Sequence, residues 1–231
     1  MKKFLFAAVL ALPALAAAQN LLIDPSFEGA AFAIPVSPLW FALPTATYGS
    51  WAVNNVGGTS TPFSVATPSS APTSLINTTF TQAPTGGLFG AANGGAKAVY
   101  FVDDSGTEAI SQTITLAAGF YNFGLDVFAT ANGFTQPNAA PFNVMFGGAA
   151  INGTVGSLAV STWTTLSGVT PLLAAGNYTF TFNFLPTGGS SKDMVIDRAF
   201  VTLVPEPSTY GLMAAGLLAV GFVARRRSSK R

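Results

Sequence analysis

The chain of 231 residues contains neither cysteine nor histidine. Without cysteine it forms no disulfide bond, and without both residues it lacks the usual ligands of zinc fingers, haem and iron–sulfur clusters. Nucleophilic catalysis by cysteine, or by serine paired with histidine, is excluded for the same reason. An exported protein of this composition must gain its stability from packing alone.

Charged residues are scarce as well, at 8% of the chain. Seven of the ten basic residues lie at the two ends. Residues 19–204 keep three cations, Lys97, Lys192 and Arg198, beside eight acidic residues. Because three cations are too few to build a basic binding face, the composition excludes a nucleic-acid partner.

The first 18 residues have the pattern of a signal peptide. Lys2 and Lys3 precede an apolar stretch from Phe4 to Leu15, and three alanines at 16–18 form a small-residue site for signal peptidase. The mature protein then begins at Gln19, on the far side of the inner membrane. The alternative is a transmembrane anchor, which the shortness of the stretch and its internal proline disfavour.

Residues 205–231 form a tail of distinct character. Pro205, Glu206 and Pro207 make an extended tripeptide, because neither proline can continue a strand. Residues 210–224 are uncharged and mainly apolar. As a helix this stretch is about 22 Å long, against a hydrocarbon core of roughly 30 Å, and it predicts a single, marginal transmembrane helix.

A basic cluster ends the tail and consists of Arg225, Arg226 and Arg227. By the positive-inside rule it keeps the end of the apolar stretch cytoplasmic and leaves the rest of the protein outside. Tripeptide, apolar helix and basic cluster, in this order, closely resemble the PEP-CTERM sorting signal of Gram-negative bacteria. The resemblance implies that the membrane enzyme exosortase cuts near the tripeptide and delivers the protein to the envelope, cell surface or medium. The alternative is an ordinary anchor that is never cut.

Strand patterns dominate residues 19–204. Four aromatic residues at 178, 180, 182 and 184 alternate with threonine and asparagine, and residues 121–127 alternate in the same way. Shorter strands are predicted over 110–116, 142–146 and 195–203. We find no helical period in this region. The sequence therefore predicts an all-β domain over 19–204, an antiparallel β-sandwich of jelly-roll type.

Glycine-containing segments separate the predicted strands. Two of them, AAGFYNF at 117–123 and AAGNYTF at 174–180, are weakly self-similar. Each predicts the second arm of a hairpin, in which glycine supplies the positive φ of the turn. Further reversals are predicted at Gly147-Gly148 and at Asn152-Gly153.

Residues 30–96 are rich in proline and paired glycines, which predicts short strands and long loops. Trp40 and Trp51 lie within this stretch. Exposed, these indole rings would stack on sugars; buried, they would fill the sandwich. Burial is the favoured interpretation, because aromatic side chains dominate β cores.

The body also resembles galactose-binding-like jelly rolls. The resemblance rests on Asn20–Glu28 as an opening strand that ends in Phe-Glu, on Ile110–Ile114, and on Ile196-Asp197 in the last strand. In many such modules the first and last strands are neighbours and hold a structural calcium ion. Glu28 and Asp197 match that site, and their carboxylates are suitable ligands. Arg198 stands where the family often has a second aspartate.

Catalytic groups are few. Asp103, Asp104 and Glu108 are candidates for a glycosidase pair, but adjacent residues of a strand point to opposite faces, and a solvated turn is favoured. We therefore expect a protein that is not an enzyme. Two hypotheses remain: an exported envelope or extracellular-matrix protein with a structural or adhesive role, and a carbohydrate-binding module for exopolysaccharide.

Overall fold

The computed structural model describes residues 19–32, 40–58, 61–66, 95–131 and 136–205, together with residues 215–216, 218 and 220–221 of the tail. The predicted signal peptide, residues 1–18, lies outside the described residues. So do Glu206, Pro207, Arg225, Arg226 and Arg227.

The body is a sandwich of two six-stranded sheets, and every strand pair within them is antiparallel. In spatial order, the first sheet holds β1 (Trp40–Ala42), β4 (Phe63–Ala66), β5 (Lys97–Phe101), β12 (Met194–Leu203), β7 (Tyr121–Ala129) and β10 (Trp163–Val169). The second holds β2 (Ala46–Tyr48), β3 (Trp51–Val56), β6 (Thr107–Leu116), β11 (Gly176–Phe184), β8 (Pro141–Phe146) and β9 (Ala149–Thr154). The predicted all-β sandwich is confirmed.

The two strands predicted from alternation are confirmed as β7 and β11, and the three shorter predicted strands as β6, β8 and β12. Strand β11 shows why the pattern is informative: Phe180, Phe182 and Phe184 are buried, while the residues between them face outward. These three rings pack against Phe142 and Phe146 of the adjacent strand β8, Trp51 of β3 and Phe101 of β5 in the facing sheet. The aromatic faces of both sheets thus form the main core.

The two hairpins predicted at the self-similar segments are wrong. The first segment joins β6 of the second sheet to β7 of the first, and the second joins β10 of the first sheet to β11 of the second. Each segment is therefore a crossover between sheets. Neither Gly119 nor Gly176 adopts a positive φ.

The self-similarity of these segments has a different cause. The hydroxyl of Tyr121 donates a hydrogen bond to the carbonyl of Ala117 at 2.8 Å, and Tyr178 bonds Ala174 in the same way at 3.0 Å. A tyrosine that bonds back to a carbonyl a few residues upstream is a recurring corner of β-sandwiches. The repeated Ala-Ala-Gly-x-Tyr pattern builds two such corners.

The two glycine reversals have different outcomes. Gly147 and Gly148, with φ of 56° and 81°, form the tight hairpin between β8 and β9, as predicted. Asn152-Gly153 is not a reversal, because both residues lie inside β9. Gly153 leaves room there for the ring of Phe142, which a Cβ atom would contact at 2.5 Å.

Trp51 is fully buried, and its indole N–H donates to the carbonyl of Asp24 at 2.9 Å. Its ring contacts Phe27 and Phe180 in the core. The predicted role of Trp51 in sugar stacking is therefore wrong, because no face of the ring reaches solvent. The backbone of Trp40 lies in β1, but its side chain is outside what the structure describes, and its stacking role stays a prediction.

Most of the predicted transmembrane helix, residues 210–224, lies outside the described residues. The five residues described there are helical. Within the described part of the chain, no helix combines the length and the apolar composition needed to cross a bilayer.

Candidate functional site

The sorting tripeptide follows directly from the folded body. Strand β12 lies between β5 and β7 and ends at Leu203. The N–H of Val204 still donates to the carbonyl of Phe120 at 2.8 Å, and Pro205 is exposed. The last strand of the body therefore ends two residues before the tripeptide, and Pro205 is presented at the surface.

Glu28 and Asp197 come close enough to interact. Asp197 is completely buried, and the charge of Glu28 contributes to a pKa of Asp197 that burial raises well above its usual value. Oδ1 of Asp197 accepts from the N–H of Arg198 at 2.6 Å. The carboxylate of Glu28 accepts from the N–H groups of Ala96 and Lys97, both at 2.7 Å.

Lys97 occupies part of the space around Glu28. Its ammonium group donates to the carbonyls of Glu28 and Gly29 at 3.0 and 3.1 Å. Those carbonyls are among the oxygens that a calcium ion would need. No group of three or more ligating side chains suited to a metal occurs in the described parts of the chain. Calcium at Glu28 and Asp197 stays a prediction, and it requires the displacement of Lys97.

Arg198 forms a buried ion pair that the sequence analysis missed. Its Nε lies 2.9 Å from Oδ2 of Asp126 on the neighbouring strand β7, and both side chains are almost fully buried. The other oxygen of Asp126 accepts from the hydroxyl of Thr165 at 2.7 Å. Asp197 pairs in register with Asp126, and the charge of Arg198 opposes the burial that raises the pKa of Asp197. The sequence signal was a single arginine within an apolar strand.

A bulge in β12 brings Arg198 to this position. The register between β12 and β7 shifts between Asp197 and Phe200, and Arg198 has a φ of 48°. A left-handed backbone is costly for a residue with a side chain and persists where the surroundings determine it. The ion pair with Asp126 is one such determinant.

The predicted solvated turn at Asp103 and Glu108 is wrong. Both carboxyl groups are buried, as is Asp193, and only Asp104 of this group is exposed. The N–H of Asp103 donates to Oε2 of Glu108 at 3.4 Å, and the hydroxyl of Tyr100 donates to Oδ2 of Asp193. Among the described residues, Oε1 of Glu108 has no hydrogen-bond partner. We call Tyr100, Asp103, Glu108 and Asp193 the buried acid cluster.

Burial governs the ionisation of the buried acid cluster. It raises the pKa of Glu108 to about 8, and the charge of Asp103 adds to the shift. It raises the pKa of Asp193 to about 7, against the lowering effect of the hydrogen bond from Tyr100. The pKa of Tyr100 is raised far above its usual value by the same burial. At neutral pH the Glu108 carboxyl is thus largely protonated.

The outer face of the second sheet carries uncharged polar side chains. Thr113 and Thr179 share a hydrogen bond of 2.8 Å, and Thr115 donates to Asn177 at 2.7 Å. Asn183 donates to Asn143 at 2.7 Å on the next strand pair. None of the strand positions described on this face is charged. We call this surface the polar sheet face.

These features define a class: an antiparallel β-sandwich whose central last strand leads directly into a proline-bounded tail. Residues 203–227 match the PEP-CTERM protein-sorting motif. The chain therefore carries this motif, as the sequence analysis predicted, and the motif implies a secreted, envelope-targeted protein. No curated protein matches the sequence.

Among solved structures, carbohydrate-binding modules are neighbours in fold. TmCBM61, solved in complex with β-1,4-galactotriose, is 17% identical over 81% of this chain and all of its own, with a TM-score of 0.48. A CBM4 structure is 12% identical over 79% of this chain and 99% of its own, with a TM-score of 0.39.

The enzymatically active domain of bacteriophage CBA120 tailspike protein 4 is 10% identical over 80% of this chain and 21% of its own, with a TM-score of 0.45. At such identities and TM-scores, these likenesses say nothing about what the present chain binds or does.

Proposed function

We propose that the protein is an exported, non-catalytic component of the cell envelope or extracellular matrix, which exosortase cuts near Pro205–Pro207. The observation that carries the proposal is the position of the sorting motif at 203–227, which begins at the last residue of β12. A protease or transpeptidase needs an extended, unpaired backbone, and two prolines favour that conformation immediately after the body.

Cleavage of the tail is the test. In a host with its exosortase, mass spectrometry of the surface or secreted protein should show a C-terminus near residue 207, without Arg225–Arg227. In a host that lacks the enzyme, the full tail should remain and the protein should accumulate in the inner membrane. The arginines cannot follow the chain outward, because each costs several kcal/mol at the bilayer centre.

Two variants sharpen this experiment. Glu206→Ala should accumulate uncut, whereas Ser208→Ala, just beyond the tripeptide, should be cut as the wild type is. Mature protein that still carries the arginine cluster in the wild-type host would contradict the proposal.

A second candidate function is binding of an uncharged exopolysaccharide at the polar sheet face. The observation in its favour is the array of amides and hydroxyls that includes Asn143, Thr179 and Asn183, with no charged strand position beside them. Amide and hydroxyl groups match the hydrogen-bonding groups of neutral sugars.

Polysaccharide affinity electrophoresis tests this candidate. The double variant Asn143→Ala and Asn183→Ala should lose retardation by the polysaccharide that retards the wild type. Asn122→Ala, on the outer face of the first sheet, is the matched control and should keep it. Equal retardation of both variants would contradict this candidate. So would a wild-type protein that no neutral polysaccharide of the native matrix retards, and the structural role would then be the only proposal left.

A further inference from the structure

The end of the sandwich from which the tail emerges is apolar and exposed. Four large side chains there have high exposed fractions: Leu172 at 65%, Val169 at 56%, Leu203 at 46% and Phe120 at 42%. Ala118 and Ala175, from the two crossover corners, are exposed beside them. We call these six residues the apolar pole.

Backbone hydrogen bonds hold the apolar pole together. Gly119 and Leu173 exchange two hydrogen bonds, of 3.0 and 2.9 Å, so the two crossover corners lie side by side. Val204 donates to Phe120, which fixes the end of β12 against the first corner. Val169 pairs with Asn122, one residue from this junction. The apolar pole is therefore a built surface with a fixed relation to the exit of the tail.

The apolar pole carries no charge. The three segments that form it, residues 117–125, 161–181 and 199–205, contain no acidic or basic residue. A surface of this composition approaches a low-dielectric phase without desolvating a charged group. Contiguous exposed apolar patches on a soluble domain mark surfaces that bind a protein or a membrane.

The length of the tail decides between these partners. Tyr210, where the apolar stretch begins, is five residue steps beyond Pro205. Fully extended, they span at most about 18 Å. When residues 210–224 lie in the membrane, the apolar pole is the part of the body held nearest to the lipid. A short tether also gives a high effective concentration, so weak insertion suffices.

We propose that, before cleavage, the apolar pole docks on the exported-side surface of the lipid bilayer, with Phe120, Leu172 and Leu203 at the boundary between headgroups and acyl chains. This inference rests on the proposed anchoring of the tail. Docking places the tripeptide at a defined depth beside the membrane, within reach of a membrane-embedded enzyme. Cleavage removes the tether, and the weak contact then releases the body.

The absence of cysteine makes single-site labelling direct. Full-length protein with Leu172→Cys, labelled with an environment-sensitive fluorophore, is reconstituted into vesicles of phosphatidylethanolamine and phosphatidylglycerol. We expect a blue shift, a severalfold rise in emission and quenching by nitroxide-labelled lipid, as for other residues in the membrane interface. Val56→Cys is the matched control. It is an exposed apolar residue at the opposite end of the second sheet, and its label should behave as in water.

Co-sedimentation with the vesicles separates the two proposals. If the protein sediments with lipid but the label at 172 behaves like that at 56, anchoring stands and docking is wrong. If the protein does not sediment, anchoring and docking both fail. A blue shift without quenching by lipid assigns the apolar pole to contact with a second copy of the chain. A blue shift that requires added exosortase assigns it to contact with the enzyme. Either result overturns the lipid proposal. Hydrogen exchange of the backbone amides of residues 117–120 is measured in the unlabelled protein, to check that labelling did not perturb the fold. If docking is right, vesicles slow this exchange.

Discussion

Replacement of Arg198 by methionine is expected to lower the free energy of unfolding by about 3–5 kcal/mol. The guanidinium lies 2.9 Å from the buried carboxyl group of Asp126. Removing it leaves that carboxyl group without a counter-ion in a medium of low dielectric. Methionine keeps most of the side-chain volume and meets the same backbone cost at a φ of 48°, so the change isolates the charge. Urea unfolding followed by tryptophan fluorescence measures the effect.

Two comparisons make this prediction specific. Lys192→Met removes a cation that is only partly buried and donates to the carbonyl of Gln136, so it should cost less than about 1 kcal/mol. The double variant Arg198→Met and Asp126→Asn should recover part of the loss, because it also removes a buried carboxylate. A loss for Arg198→Met no larger than that for Lys192→Met would contradict the argument.

The stability of the protein is expected to fall as the pH rises from about 4 to about 8, by a few kcal/mol. In the folded state, burial raises the pKa of Glu108 from 4.5 to about 8 and that of Asp193 from 3.8 to about 7. Between these values the folded protein holds protons that the unfolded chain has released, so each step up in pH favours unfolding. Burial also raises the pKa values of Asp126 and Asp197, which acts in the same direction. Urea unfolding across this pH range measures the slope.

The variant Glu108→Gln isolates the part of this slope that belongs to Glu108. An uncharged amide of the same shape should make stability less dependent on pH and raise it, relative to the wild type, above pH 8. Asp104→Asn, an exposed carboxyl on the same turn, is the comparison and should change the slope less, because the charge of Asp104 acts only by adding to the raised pKa of Asp193. A wild-type stability that is constant or rises between pH 4 and pH 8 would show that the buried acid cluster is not protonated as inferred.

Individual elements show where sequence reasoning succeeds. The faces of β11 were predictable because Tyr178, Phe180, Phe182 and Phe184 recur at the two-residue period of a strand. The sorting motif was predictable because its parts are contiguous in the chain. Neither inference needs to know which residues meet in space.

The crossover corners and the buried acid cluster show where it fails. A short glycine-containing segment between two strands is typical of a hairpin. However, its local pattern does not determine which sheet the next strand joins. Here β6 and β11 lie in the second sheet and β7 and β10 in the first, so the chain crosses between sheets at 117–120 and at 170–175. Asp103 and Glu108 suggested a solvated turn because a local pattern cannot show that the fold buries them near Asp193, which is distant in sequence.

By itself the sequence determined the all-β character of the body, the inward faces of its main strands, the lack of disulfides and the presence of a sorting tail. These properties depend on local periodicity, composition or contiguous motifs. Only the tertiary structure decided that Trp51 is core, that Arg198 pairs with the buried carboxylate of Asp126 and that the exit of the tail is surrounded by exposed apolar side chains. Each of these features depends on which strands become neighbours. The arrangement of strands is set by how the whole chain buries its apolar surface, and no single segment determines it.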